Sequence, residues 1–327
     1  MAEEYPEVEE SIKSDSAIVD GHFNGLPAES LREYSLSLPV PSHHPRAKHI
    51  TETRFVVGSI ESIASTGDSY YLIDSSLRNT PIAGLFDNQA HYVDASEGTL
   101  KEVSWLDSFI KDEVPPESTT IVGIGGGILL NAAAFVAEKT GADFVSVPTT
   151  VLAAADSAIG GLIRINKVDG EKFQKSFYKS VYEPSTIILD LRLLATLPKE
   201  QISFGLSEVI KHGVYQSLPL LEYLASDTFD PLNNEDDLLK AICWTAALKN
   251  VAIMHDPDSE SYGGDILRGG HKLALTIEEE SHFRISHGQA VAVGVYQDTV
   301  NDTEKLALLD AIYLKLSLPK AQSNLVI

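Results

Sequence analysis

The sequence predicts an α/β domain built on a parallel sheet, followed by a helical domain, with the boundary near residue 195. Three observations predict it. Short β-prone runs, each followed by turn or helix-start residues, recur between about residues 53 and 190. Two of them, Thr119–Ile124 and Asp143–Val147, bracket a helical stretch from Leu130 to Lys139 at the spacing of a βαβ unit. After Leu197-Pro198 the apolar pattern becomes helical and stays so to the end of the chain.

Residues 1–45 begin acidic and become rich in Ser, Pro and His, a composition expected of a poorly ordered arm. Residues 46–195 form the α/β domain. Its strands are expected at Arg54–Val57, Tyr70–Ile73, Thr119–Ile124, Asp143–Val147 and Ile187–Asp190. Residues 196–327 form the helical domain, with helices expected at Ser203–Tyr215, Leu238–His255, Lys272–Glu280, Gly288–Asp298 and Thr303–Leu316.

The chain carries 25 Lys and Arg against 47 Asp and Glu, a formal charge of −22, which argues against a phosphate-backbone partner and disfavours an anionic membrane surface. No nucleic acid and no membrane are expected as partners. An anionic metabolite remains compatible, given local cations and helix N-termini. With one cysteine, Cys243, no intrachain disulfide can form, as suits a reducing compartment. The acidic start lacks the apolar core of a secretory signal, and no run approaches the ~18 apolar residues of a membrane span. A cytoplasmic location is the expectation.

Gly125-Gly126-Gly127 follows a buried strand and opens a helix, so the backbone there can approach a ligand closely and face a pyrophosphate with the helix N-terminus. A plain flexible turn fits the triplet as well. The next strand runs out into Pro148-Thr149-Thr150 and then Asp156–Gly161, hydroxyls and a carboxylate at the mouth of a sheet. Glu208 and Lys211 stand three apart on one helix face. With His271 and His287, Glu208 would give a metal two imidazoles, a carboxylate and an open position, although loop His and exposed Glu are common without a metal.

In order, these segments resemble the sugar phosphate cyclase superfamily typified by dehydroquinate synthase. The resemblance is carried by Gly125–Gly127, Val147–Thr150, Asp156–Gly161, Leu197-Pro198, Ser207–Lys211, Gly270-His271 and His287–Ala292, and it covers residues 53 to 318. It implies a Rossmann-like NAD domain followed by a helical metal-binding domain, a small-molecule sugar phosphate as substrate, and a homodimer. It places Glu208, His271 and His287 on metal ligands, the metal being zinc or alternatively cobalt. Lys211, Lys249 and Lys175 fall on active-site lysines, with Lys172 an alternative alignment to Lys175. Gly125, Gly126, Gly127, Thr149, Thr150 and Asp156 fall on NAD-contacting segments. The implied reaction oxidises a ring hydroxyl transiently with NAD, eliminates phosphate, returns the hydride and closes a carbocycle by aldol addition.

The departures are specific. Asn131 stands where dehydroquinate synthases usually carry Asp, Leu162 where they carry Lys, Leu275 where they carry a second His, and Gly264 where they carry Arg, with Arg268 close by. The chain also ends soon after Leu318-Pro319, where the family usually continues with another phosphate-contacting lysine. A retained metal set with altered substrate contacts implies a cyclase for a different sugar phosphate, such as a heptulose phosphate without the carboxylate, in specialised metabolism. The alternatives are a catalytically degenerate homologue that binds NAD or metal, and an NAD- and metal-dependent alcohol dehydrogenase of related fold.

Overall fold

A computed structural model describes residues 6–42, 44–45, 50–63, 68–80, 83–86, 90–96, 100–169 and 172–325. The chain divides into two compact units, residues 33–194 and a second that joins 195–327 to the N-terminal 1–32. Among the described residues no helix is long and apolar enough to cross a membrane.

The expected poorly ordered arm is corrected by the structure. Pro6–Gly25 is helix α1, and it belongs to the helical unit. Its inward face is Ile12, Ser16, Asp20 and Phe23, a helical spacing in which two of the four positions are polar. Those two positions are paired inside. Ser217 Oγ and Trp244 Nε1 donate to Asp20 Oδ1 at 2.5 and 2.8 Å, and Gln216 Nε2 donates to Ser16 Oγ at 3.0 Å. Phe23 stacks on Trp244 at 5.8 Å between centroids.

Burial raises the Asp20 pKa by more than its hydrogen bonds to Ser217 and Trp244 lower it. The charged form is therefore disfavoured by the fold. Its contribution to stability is complete below the ordinary carboxylate range and is lost as pH rises through the raised value. Asp20→Asn, whose amide oxygen can accept both bonds, is expected to hold stability at pH 7 and to flatten this part of the pH dependence. Asp20→Ala strands two buried donors and is expected to cost about 1–3 kcal/mol. Urea unfolding at pH 5 and pH 7 measures both effects.

The α/β unit begins with β1 (Ser35–Pro39), which pairs antiparallel with β2 (Glu52–Val57). Then follow β3 (Ser69–Asp74), β4 (Ala90–Val93), α2 (Val103–Glu113), β5 (Thr120–Gly125), α3 (Gly127–Thr140), β6 (Asp143–Pro148), β7 (Leu162–Asp169), β8 (Lys172–Val181), β9 (Thr186–Leu189) and α4 (Leu191–Leu194). The main sheet has the order β1-β2-β9-β6-β5-β3-β4, parallel apart from β1. Its central strands are buried apolar runs, as a sheet covered on both faces requires. β7 and β8 form a separate hairpin. Tyr178 and Ser180 tie it to α3 by donating to the Glu138 carboxylate at 2.8 and 2.5 Å. Gly161, at φ +58°, precedes the hairpin where a Cβ would come within 2.5 Å of the Tyr182 carbonyl, so no other residue fits.

The helical unit continues with α5 (Lys199–Gly205), α6 (Ser207–Tyr215), α7 (Leu218–Ala225), α8 (Glu235–His255), α9 (Tyr262–Arg268), α10 (His271–Glu280), α11 (His287–Thr299) and α12 (Thr303–Leu316). The single helix expected over Ser203–Tyr215 is two, broken at Leu206. The core is the buried side of α8, from Leu238 to Ile253, with Val209 and Ile210 of α6 and Val291 to Val295 of α11. Helix ends are set locally. Asn234 caps α8 ahead of three acidic residues, and Ser286 with Gln289 makes a capping box at α11.

Candidate metal centre

Glu208, His271 and His287 lie in the first turns of α6, α10 and α11. Among the described residues they form a group whose ligand atoms lie within 4.8 Å of one another. His271 Nε2 stands 3.6 Å and His287 Nε2 3.3 Å from the same atom, Glu208 Oε1. Lys211, one turn along α6, places Nζ 2.5 Å from Glu208 Oε2 and donates to the Leu267 carbonyl at 3.1 Å. Glu208 and Lys211 are both buried.

The outer nitrogens fix the tautomers. His271 Nδ1 is 3.0 Å from the Gly269 carbonyl, and His287 Nδ1 is 3.1 Å from Glu278 Oε1. Both partners can only accept, so each Nδ1 carries a proton, and Nε2 is the nitrogen that each ring turns toward Glu208. Neither Glu208 oxygen has a hydrogen bond of good geometry among the described residues. Lone pairs of two imidazoles and a carboxylate that converge on one point are stabilised by a cation placed there. Two nitrogens and one carboxylate, with outer hydrogen bonds on both rings, fit a divalent metal with an open coordination position.

The electrostatics agree with that fit. Burial opposes the charge on Glu208, but Lys211, then His271 and His287, outweigh it and hold the carboxyl well below the usual range. Burial lowers His271. It also acts to lower His287, yet the Glu208 and Glu278 carboxylates that face its two nitrogens prevail and raise that ring to about 10. Without a metal, a proton on His287 supplies the positive charge the cluster requires. His212, next to Lys211, is driven to about 3 by burial and then by the Lys211 charge. Its Nδ1 meets Gln216 Oε1 at 2.7 Å. Lys249 on α8 is buried, and its charge adds to the depression of His212.

In the α/β unit the glycine triplet joins the end of β5 to α3, with Gly126 as an N-cap that makes no side-chain cap bond. Thr149 N–H donates to the Gly125 carbonyl at 3.0 Å, so the ends of β5 and β6 are stitched together there. A Cβ on Gly126 would meet Thr150 Cγ2 at 3.6 Å, ordinary contact, whereas one on Gly127 would strike Ser157 Oγ at 2.8 Å. Asp156 and Ser157 lie in a π-turn, Ala153–Ser157, closed by Ala158 N–H to the Ala153 carbonyl. The structure thus gathers Gly125, Gly126, Gly127, Thr149 and Thr150, with Asp156 in the adjoining turn. Lys175 is exposed on β8 of the same unit. Glu278, Gly269 and His212 were not singled out from the sequence; Glu278 begins the acidic run Glu278–Glu280, which reads as a solvated helix face.

Two family models match the chain, 3-dehydroquinate synthase N-terminal over residues 94–204 and 3-dehydroquinate synthase C-terminal over residues 205–316. The chain is 31% identical to the 3-dehydroquinate synthase of Saccharolobus solfataricus over 75% of its own length and 71% of that enzyme. It is 32% identical to the 3-dehydroquinate synthase of Alkaliphilus metalliredigens, where the match spans 55% of this chain and about half, 51%, of that protein. Among solved structures, 2-deoxy-scyllo-inosose synthase complexed with carbaglucose-6-phosphate, NAD+ and Co2+ is similar in fold, with a TM-score of 0.64 at 23% identity over 89% of this chain and 84% of that one.

Proposed function

The chain belongs to the 3-dehydroquinate synthase family, and from that premise we propose that it is a sugar phosphate cyclase, a carbon–oxygen lyase that turns a ketose phosphate into a carbocycle. The observation that carries the reading is the convergence of Glu208, His271 and His287 with both outer ring nitrogens already bonded. Zinc or cobalt at the triad would supply Lewis acidity, and NAD at the glycine loop a reversible hydride acceptor.

The chain's own residues then have defined tasks. Lys211, buried and held by Glu208 and the Leu267 carbonyl, is a fixed cation beside the triad that can stabilise negative charge developing on a substrate oxygen. Lys249 adds a second buried cation near His212, and Lys175 is a candidate for the substrate's phosphate. His212 is kept neutral at physiological pH, so it adds no third charge to this crowded pocket. The triplet Gly125–Gly127 leaves the N-terminal amides of α3 open to a pyrophosphate.

The altered positions support a substrate other than the dehydroquinate precursor, in specialised metabolism. Incubation with sedoheptulose 7-phosphate, and separately with the dehydroquinate precursor, tests the reading by phosphate release and mass spectrometry. Phosphate release with a carbocyclic product and no net NADH is the expected result. Net NADH without phosphate, or no turnover of any ketose phosphate, would overturn it.

The cofactor placement has its own test. Gly126 has extended backbone, φ −77° and ψ −179°, and room for a Cβ, so Gly126→Val is expected to fold with wild-type melting behaviour. Its side chain would stand between the loop and a pyrophosphate, and NAD affinity is expected to fall by at least tenfold, about 1.4 kcal/mol, in calorimetry. Equal affinity in the folded variant would move NAD elsewhere.

A further inference from the structure

His287 has a carboxylate directly behind it, Glu278; His271 has a backbone carbonyl, Gly269, and the peptide bearing that carbonyl has a second attachment. The Gly269–Gly270 peptide presents its C=O to His271 Nδ1 at 3.0 Å, and its N–H donates to Asp298 Oδ2 at 3.1 Å. The two groups belong to one planar trans unit and point in opposite directions, so fixing one end fixes the other. From this geometry we infer that Asp298 is a positioning residue for His271, acting through the Gly269–Gly270 peptide as a relayed counterpart of Glu278. This inference rests on the metal reading of the triad.

The surroundings leave the peptide little freedom. Gly270 holds φ +73°, and a Cβ there would lie 2.7 Å from Val295 N, so α10 begins in contact with α11. A Cβ on Gly294 would lie 2.0 Å from the Gly270 carbonyl, the same contact seen from α11. Gly269 lies against the Tyr215 ring, where a Cβ would come within 2.3 Å of Cε2. Tyr215 closes α6, the helix that carries Glu208, and its hydroxyl donates to Asp298 Oδ2 at 2.8 Å. One carboxylate oxygen on α11 therefore takes hydrogen bonds from the ends of the other two ligand-bearing helices.

Charge gives the relay a direction. A carboxylate accepting from the peptide N–H polarises the amide and makes its carbonyl a stronger acceptor for the His271 Nδ1 proton. A stronger acceptor there raises the basicity of Nε2, the nitrogen that faces Glu208. Asp298 is solvent-exposed, so its removal does not empty a core position, and water weakens without cancelling its influence.

The test is metal affinity and cobalt spectroscopy on the full chain. Wild type, Asp298→Ala, Asp298→Asn and Tyr296→Phe are stripped with chelator and titrated with Co2+ and Zn2+ against a chromophoric competitor, with folding checked by circular dichroism. Asp298→Ala is expected to weaken affinity about tenfold and to shift the visible Co2+ bands, because His271 loses its fixed orientation. Asp298→Asn keeps an acceptor and is expected to stay within about threefold of wild type with a wild-type spectrum. Tyr296→Phe loses a hydrogen bond to Asp310 from the same helix without touching the relay, and is expected to match wild type. Should Asp298→Ala fail to fold, Asp298→Ser, which is too short to reach the peptide, takes its place with the same expected result. Wild-type affinity and spectrum in the Ala or Ser variant would overturn the relay while leaving the triad intact; absence of Co2+ and Zn2+ binding by the wild-type chain would overturn the metal reading itself.

Discussion

His271→Ala with His287→Ala is expected to abolish stoichiometric metal binding while the chain stays folded. Wild-type protein prepared without chelator is expected to carry close to one zinc per chain, and the double variant less than a tenth of that. The reason is geometric. The two Nε2 atoms converge on Glu208 Oε1 at 3.6 and 3.3 Å, so their removal leaves a single carboxylate already paired with Lys211. That pair also preserves the fold, because the buried Glu208 charge keeps its partner; breaking such a pair typically costs about 3–5 kcal/mol. Metal that binds the native state alone stabilises by about 2.7 kcal/mol at a free concentration a hundredfold above Kd, so chelator should lower the wild-type melting temperature and leave the double variant unmoved. Glu278→Gln removes the charge behind His287 and should weaken binding by about 10–100-fold, less than loss of the ring itself. Metal content equal to wild type in the folded double variant would show that the triad is not the site.

How much of this was legible in the sequence depended on where the deciding interaction sits along the chain. The grouping of Glu208, His271 and His287, whose donor atoms lie within 4.8 Å of one another, was legible because a metal needs particular donor types and the short motifs around them come in a fixed order. The parallel sheet was legible because its central strands, such as Thr120–Gly125, are continuous apolar runs. Helix α1 was not. Its buried stripe contains Ser16 and Asp20, whose burial is offset by partners some 200 residues away, Gln216, Ser217 and Trp244, so the hydrophobic period is masked. Strand β1 hid in a Ser- and Pro-rich run, although Leu36 and Leu38 alternate with Ser35, Ser37 and Pro39 as an edge strand allows. In the hairpin β7–β8 the buried alternation is short, Ile163 and Ile165 of β7, and the Lys-rich second strand masks it; Glu138 on α3 adds an anchor through Tyr178 and Ser180. Glu278 and Asp298 escaped for the same reason as Asp20: an acidic residue on a helix reads as solvated until packing shows what its carboxylate receives.

Complementation of a strain lacking dehydroquinate synthase is expected to fail, or to give growth that still depends on aromatic supplements. The substrate of that enzyme carries a carboxylate and a phosphate, and both need cations. Leu162 and Leu275, at positions where the dehydroquinate synthases carry Lys and His, are partly exposed apolar side chains, 39% and 45% accessible, and neither can pair with an anion. Gly264 cannot be restored to arginine simply, because a Cβ there would lie 2.1 Å from the Ser259 carbonyl. Arg268 covers that place, with Nη2 2.7 Å from the same Cβ position. Its guanidinium is already engaged, donating to the Ser259 carbonyl and lying 3.6 Å from Asp265 Oδ1. Loss of one charged contact to a desolvated anion costs about 2–5 kcal/mol, so two uncompensated losses lower kcat/KM by roughly three to seven orders of magnitude. A sugar phosphate without the carboxylate does not incur both losses, which is why turnover of a heptulose phosphate is expected where the dehydroquinate precursor fails. Robust growth of the complemented strain without aromatic supplements would show that Arg268, Arg164 or the hairpin lysines rebuild the missing anion sites.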